Sequence, residues 1–204
     1  MDVILEVIKR HRGDWDVCEA AICAIRHLLF SAETETQIVQ GGGVQLIVGA
    51  MRDHRREVEL QAHGCGALRE LTMNKGGLDD VMHAGGVEVV TAAMLSFRGR
   101  CNIVEDGCGT LTNVAKSGDQ NHAVVSERGG VDAILGGMRI HRDSASVQQA
   151  GCRALNSLCS RSTEASEQVA DKNGVRIVLA GIGVHQANEG VVQQVGALGR
   201  RPAC

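Results

Sequence analysis

The chain has 204 residues, of which 44% are hydrophobic, and its formal net charge is −3. This length and composition allow a folded protein with a substantial core and argue against intrinsic disorder. The slightly negative charge argues against general nucleic-acid binding. No apolar run reaches about 18 residues, which argues against a membrane-spanning helix.

One short motif recurs along the chain at steps of 43 or 44 residues. Its four copies are Gly42-Gly43-Val44, Gly85-Gly86-Val87, Gly129-Gly130-Val131 and Asn173-Gly174-Val175. Two further sets keep the same register, namely the cysteines Cys65, Cys108 and Cys152 and the histidines His11, His54, His141 and His185. Markers that share one register predict tandem copies of a single structural unit.

Each copy is predicted to contain three helices. A short first helix is expected over residues 33–40, 77–84, 119–128 and 164–172. The Gly-Gly or Asn-Gly pair ends this helix, because glycine adopts the left-handed conformation at low steric cost. A second helix starts at the valine and is expected over residues 1–11, 44–53, 87–97, 131–141 and 175–185. The third is the longest and is expected over residues 15–30, 57–73, 101–116, 144–160 and 188–199, with Ser144 as one N-cap and Asp119 as the N-cap of a first helix.

A single copy cannot bury its own apolar faces, so the copies are expected to stack. The predicted division is a partial repeat over 1–30, full repeats over 31–73, 74–116 and 117–160, and an incomplete repeat over 161–204. Because the first copy lacks its first helix, we expect a fragment of a longer array or a homo-oligomer formed through the uncapped ends.

Three helices, a Gly-Gly break and a third helix ending in Ala-Leu-x-x-Leu together resemble the armadillo repeat. The HEAT repeat has a similar length but two helices and no glycine break. The resemblance covers essentially the whole chain and implies an all-α, right-handed α-solenoid. It also implies a scaffold that binds an extended peptide or a helix of a partner protein along a concave groove formed by the third helices.

Carrying the armadillo groove over to this sequence predicts a ladder of partner-binding residues. These are Glu19, His27, Glu59, His63, Glu70, Asn102, Glu105, Asp106, Asn113, Gln149, Arg153 and Ser157. The acidic residues in its first part favour a partner with basic character. The alternative is a solvated helix face with no ligand. The nuclear-import adaptors of the family place a Trp and an Asn in this groove; here Asn113 alone matches, so the chain is not a typical adaptor of that kind.

Five glycines stand inside the third helices predicted over residues 57–73, 101–116 and 144–160. Gly64, Gly107 and Gly151 are predicted to allow close helix–helix approach. Gly66 and Gly109 fall on the groove side, where we expect them to leave a shallow floor that could admit a bulky partner helix.

The residues favour binding over catalysis. No P-loop, H-E-x-x-H or G-x-S-x-G motif is present, and we expect no enzyme activity and no cofactor. The histidine series is expected to meet carbonyls at helix ends, because one layer lies about 10 Å from the next and the rings cannot share a metal ion. The eight cysteines form no C-x-x-C pair, so we expect core cysteines and reduced thiols in the cytoplasm or the nucleus. The alternative function is a structural or regulatory segment of a larger multidomain protein, for example a kinase, without its own ligand.

Overall fold

The structure is a computed structural model that describes residues 2–118, 120–185, 188 and 193. Thirteen helices are found in this part of the chain. They are α1 (Asp2–Arg10), α2 (Trp15–Leu28), α3 (Ala32–Gln40), α4 (Gly43–Asp53), α5 (Val58–Leu71), α6 (Lys75–Ala84), α7 (Gly86–Ser96), α8 (Cys101–Ser117), α9 (Asn121–Glu127), α10 (Gly130–Ile140), α11 (Ala145–Cys159), α12 (Thr163–Asp171) and α13 (Gly174–Val184). None of these helices is long and apolar enough to span a bilayer.

The predicted three-helix pattern is confirmed, with helix ends within a few residues of those expected. The predicted cap at Ser144 is confirmed as well, since its hydroxyl accepts a hydrogen bond from the Val147 amide at 3.4 Å. Asp119 lies outside the described residues. The third helix predicted over residues 188–199 also lies outside them, apart from Asn188 and Gln193.

A single left-handed residue turns the chain from each first helix into the next second helix. Its φ angle is 75° at Gly42, 79° at Gly85, 76° at Gly129 and 57° at Asn173. Glycine and asparagine are the residues that tolerate this region best, which explains why the motif recurs. The same residue is the N-cap of the following second helix at Gly42, Gly129 and Asn173.

The chain divides into two compact units, the first unit (Met1–Ala93) and the second unit (Met94–Cys204). In the first unit α2 packs along α5, and in the second α8 packs along α11. Each unit buries an aliphatic core between its second and third helices. The largest fully buried side chains include Ile22, Ile25, Ile47, Leu60 and Leu68 in the first unit, and Met94 and Ile103 in the second.

Methionines of second helices pack directly on glycines of third helices. A Cβ atom added to Gly64 would lie 2.5 Å from Met51 Sδ, and one added to Gly151 would lie 2.5 Å from Met138 Sδ. Gly107 stands against Met94 in the same way. The prediction that these glycines permit close helix approach is therefore confirmed.

The recurring histidines tie one copy to the next. His54 Nε2 lies 2.7 Å from the carbonyl oxygen of Arg12, and His141 Nε2 lies 2.7 Å from that of Arg98. His185 repeats the contact with Arg142 at 2.8 Å. A carbonyl can accept but not donate, so Nε2 carries the proton. The rings do meet carbonyls at helix ends, but these carbonyls belong to the turn of the preceding copy, which sequence reasoning did not foresee.

Buried glutamines of the third helices donate hydrogen bonds to carbonyl oxygens at the ends of the second helices. Gln148 Nε2 donates to Met138 O at 2.8 Å and to His141 O at 2.9 Å. Gln61 makes the equivalent pair in the first unit, to Met51 O and His54 O. These bonds fix the end of a second helix to the start of the third helix that follows, and so set the position of the third-helix face.

Candidate partner-binding groove

In the first unit the predicted groove residues lie on α2 and α5. Glu19 and His27 stand on α2, while Glu59, His63 and Glu70 stand on α5. His27 and Glu59 are exposed, and the other three are half-buried. The Nδ1 atom of His27 lies 2.8 Å from the Cys23 carbonyl one turn earlier, so Nδ1 donates a hydrogen bond there.

His63 occupies an unfavourable position for a charged ring. Burial lowers its pKa, and the positive charge of Arg26 lowers it further. The carboxylates of Glu19 and Glu59 act in the opposite direction but do not prevail. Its Nδ1 is buried without a hydrogen-bond partner among the described residues. The surroundings of His63 therefore favour the neutral form of its ring.

The floor of this groove at Gly66 is covered by a side chain from the preceding third helix. A Cβ atom on Gly66 would collide with the guanidinium of Arg26, and it would lie 2.9 Å from Arg26 Cδ. The expectation that Gly66 leaves room for a bulky partner helix is wrong, because the Arg26 side chain occupies that space. Gly109, the other glycine of that prediction, is half-buried on α8.

Sequence reasoning missed Arg26 and its counterpart Arg69. The two arginines are 43 residues apart, and each directly precedes a predicted groove residue, His27 or Glu70. This shared register was the available signal. Because Arg26 lies against Gly66 and near His63, the third-helix face of the first unit is mixed in charge and not uniformly acidic.

In the second unit the predicted groove residues lie on α8 and α11, and they differ in solvent exposure. Asn102 and Arg153 are exposed, while Glu105, Asn113 and Gln149 are half-buried. Two others offer little surface to a partner: Asp106 is 4% exposed and Ser157 is 6% exposed. The hydroxyl of Ser157 donates to the Arg153 carbonyl at 2.9 Å, so its polar group is already used within the helix.

Comparison with known proteins places this architecture. The family model for the LRRK2 ARM repeat matches residues 1–162. The chain belongs to the LRRK2 ARM repeat family. A search of the curated proteins found no significant match to this chain. The armadillo resemblance inferred from the glycine motif is thereby confirmed.

Solved structures support the same fold. A computationally designed armadillo repeat protein for modular peptide recognition superposes with a TM-score of 0.80 at 12% identity, over 97% of this chain and 79% of the other. A designed armadillo repeat protein in complex with the peptide (KR)4 gives 0.78 at 11% identity, with the same coverage. An engineered protein solved by a structural genomics consortium gives 0.78 at 20% identity, covering 97% and 78%.

The cysteines of this ARM repeat chain differ widely in environment. Cys65, Cys108 and Cys152 are buried, as the repeat register predicts. Burial raises the pKa of Cys108 to about 12 and that of Cys152 to about 11. Cys101 is exposed, with its Sγ 3.1 Å from His141 Nδ1. Among the described residues, no three His, Cys, Asp or Glu side chains are grouped to hold a metal ion.

Proposed function

We propose that this chain is a protein-interaction scaffold whose third helices bind an extended segment of a partner protein. One observation supports the proposal: in each unit two third helices pack along each other and carry exposed polar side chains. His27 and Glu59 are exposed in the first unit, and Asn102 and Arg153 in the second. Amide and guanidinium groups of this kind can hydrogen-bond the main chain of an extended peptide.

We further propose that the partner segment has basic residues where it meets the first unit. Glu19, Glu59 and Glu70 supply three carboxylates on α2 and α5, against the cations Arg26 and Arg69. A designed protein of this fold is in complex with the alternating basic peptide (KR)4, which supports the choice of such a peptide as a probe. The partner segment would be recognised by spaced contacts, since the face is mixed in charge.

Fluorescence anisotropy with labelled (KR)4 tests this proposal. We expect saturable binding to the unmodified chain that weakens with added salt. Replacing Glu19, Glu59 and Glu70 together by Gln should weaken binding roughly tenfold, since an ion pair near the protein surface contributes about 0.5 kcal/mol.

A matched control keeps the change in net charge and moves it away from the groove. Glu33, Glu127 and Glu164 are exposed glutamates on first helices, and their joint replacement by Gln removes the same charge. We expect this variant to bind (KR)4 within about twofold of the unmodified chain. Equal weakening by both triple variants would mean that non-specific attraction, and not the third-helix face, holds the peptide.

A second candidate is a structural or regulatory segment of a larger protein, placed in the cytoplasm or the nucleus. The observation that favours it is the family match, since the matching model is named for the ARM repeats of LRRK2. Under this proposal (KR)4 and other extended peptides would bind without saturation, and the glutamate variants would not differ.

A further inference from the structure

A second polar surface lies away from the third helices, between the second helices α10 and α13 of the second unit. It is a cavity of about 330 Å³ lined by Arg139, Arg142, Lys172, Asn173, Arg176, Ile177 and Ala180. Four of these seven residues are cations, and none is an acid. The volume is at the lower end of the range for small-ligand pockets, enough for a compact charged group and its stem.

Three of the four cations differ from the fourth in their contacts. Within the described part of the chain, the guanidinium groups of Arg139, Arg142 and Arg176 form no ion pair or hydrogen bond. Lys172 is different, because its Nζ lies 2.8 Å from Asp132 Oδ1. Three arginines that share one cavity repel each other, and an anion bound between them would relieve that repulsion.

The backbone adds to this positive potential and fixes its geometry. The cavity includes Asn173, the N-cap of α13, and Arg176 from the first turn of that helix, where amide N–H groups have no acceptor within the helix and the helix dipole is positive. Arg142 is held against α13, because its carbonyl oxygen lies 2.8 Å from His185 Nε2. The arginines therefore stand on a fixed frame built from two adjacent copies.

One residue of the cavity, Arg176, differs in charge from its counterparts in the two preceding copies. Arg176 occupies the register position that holds Glu88 and Asp132 in the two preceding copies, each 44 residues earlier. Those copies carry a carboxylate at the position, and this copy carries a guanidinium. The exchange converts a position that can neutralise a neighbouring cation into another cation.

We propose that this cavity binds the phosphate group of a phosphorylated side chain on a partner protein. A phosphate monoester has three acceptor oxygens and a charge near −2, which can engage several guanidinium groups at once. A carboxylate has one charge and two acceptor oxygens, so it offsets less of the positive charge of the three arginines. Ile177 and Ala180 form the apolar part of the wall, where the stem of the modified side chain would pack.

A protein segment suits the site better than a membrane or a nucleic acid. The chain as a whole carries a net charge of −3, so an extended polyanion would meet repulsion beyond the cavity. A single phosphate on a peptide is attracted mainly by charges within a Debye length, about 8 Å at physiological salt.

NMR titration of the isotopically labelled chain with N-acetyl-O-phosphoserine amide tests the proposal. We expect saturable shifts at the Nε–Hε groups of Arg139, Arg142 and Arg176. N-acetylserine amide should cause none, and N-acetylaspartate amide should bind more weakly. Arg176→Glu restores the carboxylate of the preceding copies and should raise the Kd about tenfold or more.

Arg55→Glu is the matched control, because Arg55 is exposed, lies in the first unit and is in register with Arg142. It makes the same change in charge and should leave the Kd within about twofold. Arg139→Gln, with a smaller change, should also weaken binding and guards against misfolding of the Arg176 variant. Absence of saturable shifts, or equal binding by Arg176→Glu, would overturn the proposal. So would Arg176-dependent binding to phosphoinositide vesicles or single-stranded RNA without binding to phosphoserine.

Discussion

The contact between Gly151 and Met138 gives a sharp test of how the helices are packed. Replacing Gly151 by Ala would place a methyl group 2.5 Å from both Met138 Cγ and Met138 Sδ, well inside the optimal separation of about 3.5–4.0 Å. Met138 is fully buried, so its side chain has little room to move. Overpacking of this kind costs about 1–3 kcal/mol, and the better helix propensity of Ala returns about 0.5–1 kcal/mol. We expect a net loss of about 1 kcal/mol in the free energy of unfolding.

Gly136→Ala on the neighbouring helix α10 is the matched control. The nearest atom to its added Cβ would be Arg98 Nε at 3.6 Å, an ordinary contact. Only the propensity term then remains, and we expect a gain of about 0.5–1 kcal/mol. Urea unfolding followed by far-UV circular dichroism measures both variants.

A double replacement separates packing from backbone effects. Met138→Ala alone should cost about 2–5 kcal/mol, because it empties part of the core. In that background Gly151→Ala should become stabilising, since its methyl enters the vacated space. If Gly151→Ala stabilises the unmodified chain as Gly136→Ala does, or is equally harmful without Met138, the close approach of the two helices is refuted.

The remaining predictions concern the histidines and cysteines. His141→Ala removes the hydrogen bond to the preceding copy and should lower the free energy of unfolding in urea by about 1 kcal/mol. Replacing the exposed His11 by Ala should lower it by less than about 0.5 kcal/mol. Equal losses in the two variants would contradict a stabilising bond between copies. The pKa of His63 in the folded state is below its ordinary value of 6.5, so the unfolded chain binds a proton there more readily. The folded state is therefore not destabilised by this residue above that pH, and it loses stability as the pH falls below it. The His63→Gln variant should therefore lose less stability than the unmodified chain as the pH is lowered, as measured by thermal unfolding. Equal losses of stability in the two proteins would contradict this prediction. Iodoacetamide should label Cys101 well before Cys108, whose pKa burial raises to about 12, as followed by mass spectrometry; the reverse order would show that the described burial is wrong.

Features that repeat in the sequence could be predicted, because the same local interactions determine the conformation of each copy. The left-handed turns at Gly42, Gly85 and Gly129 follow from glycine's low steric cost, and the helix positions follow from those turns. The packing role of Gly64 also follows from register, because it recurs with the core.

Features that depend on a long side chain crossing to another helix could not be predicted in this way. Arg26 covers Gly66, although the two residues belong to different copies and nothing local pairs them. Asp106 stands at a groove position by register and is nevertheless buried, because neighbouring side chains decide exposure. The carbonyl bound by His54 lies 42 residues away, beyond the reach of local patterning.

The central claim, that third helices hold the partner segment, is tested most directly by NMR mapping of the labelled chain during titration with unlabelled (KR)4. We predict that the amide signals of Glu19, His63 and Glu70 shift together and saturate at one Kd, while the first-helix signal of Glu33 stays in place. Saturable shifts on α3 or α6 with none on α2 or α5 would contradict the claim.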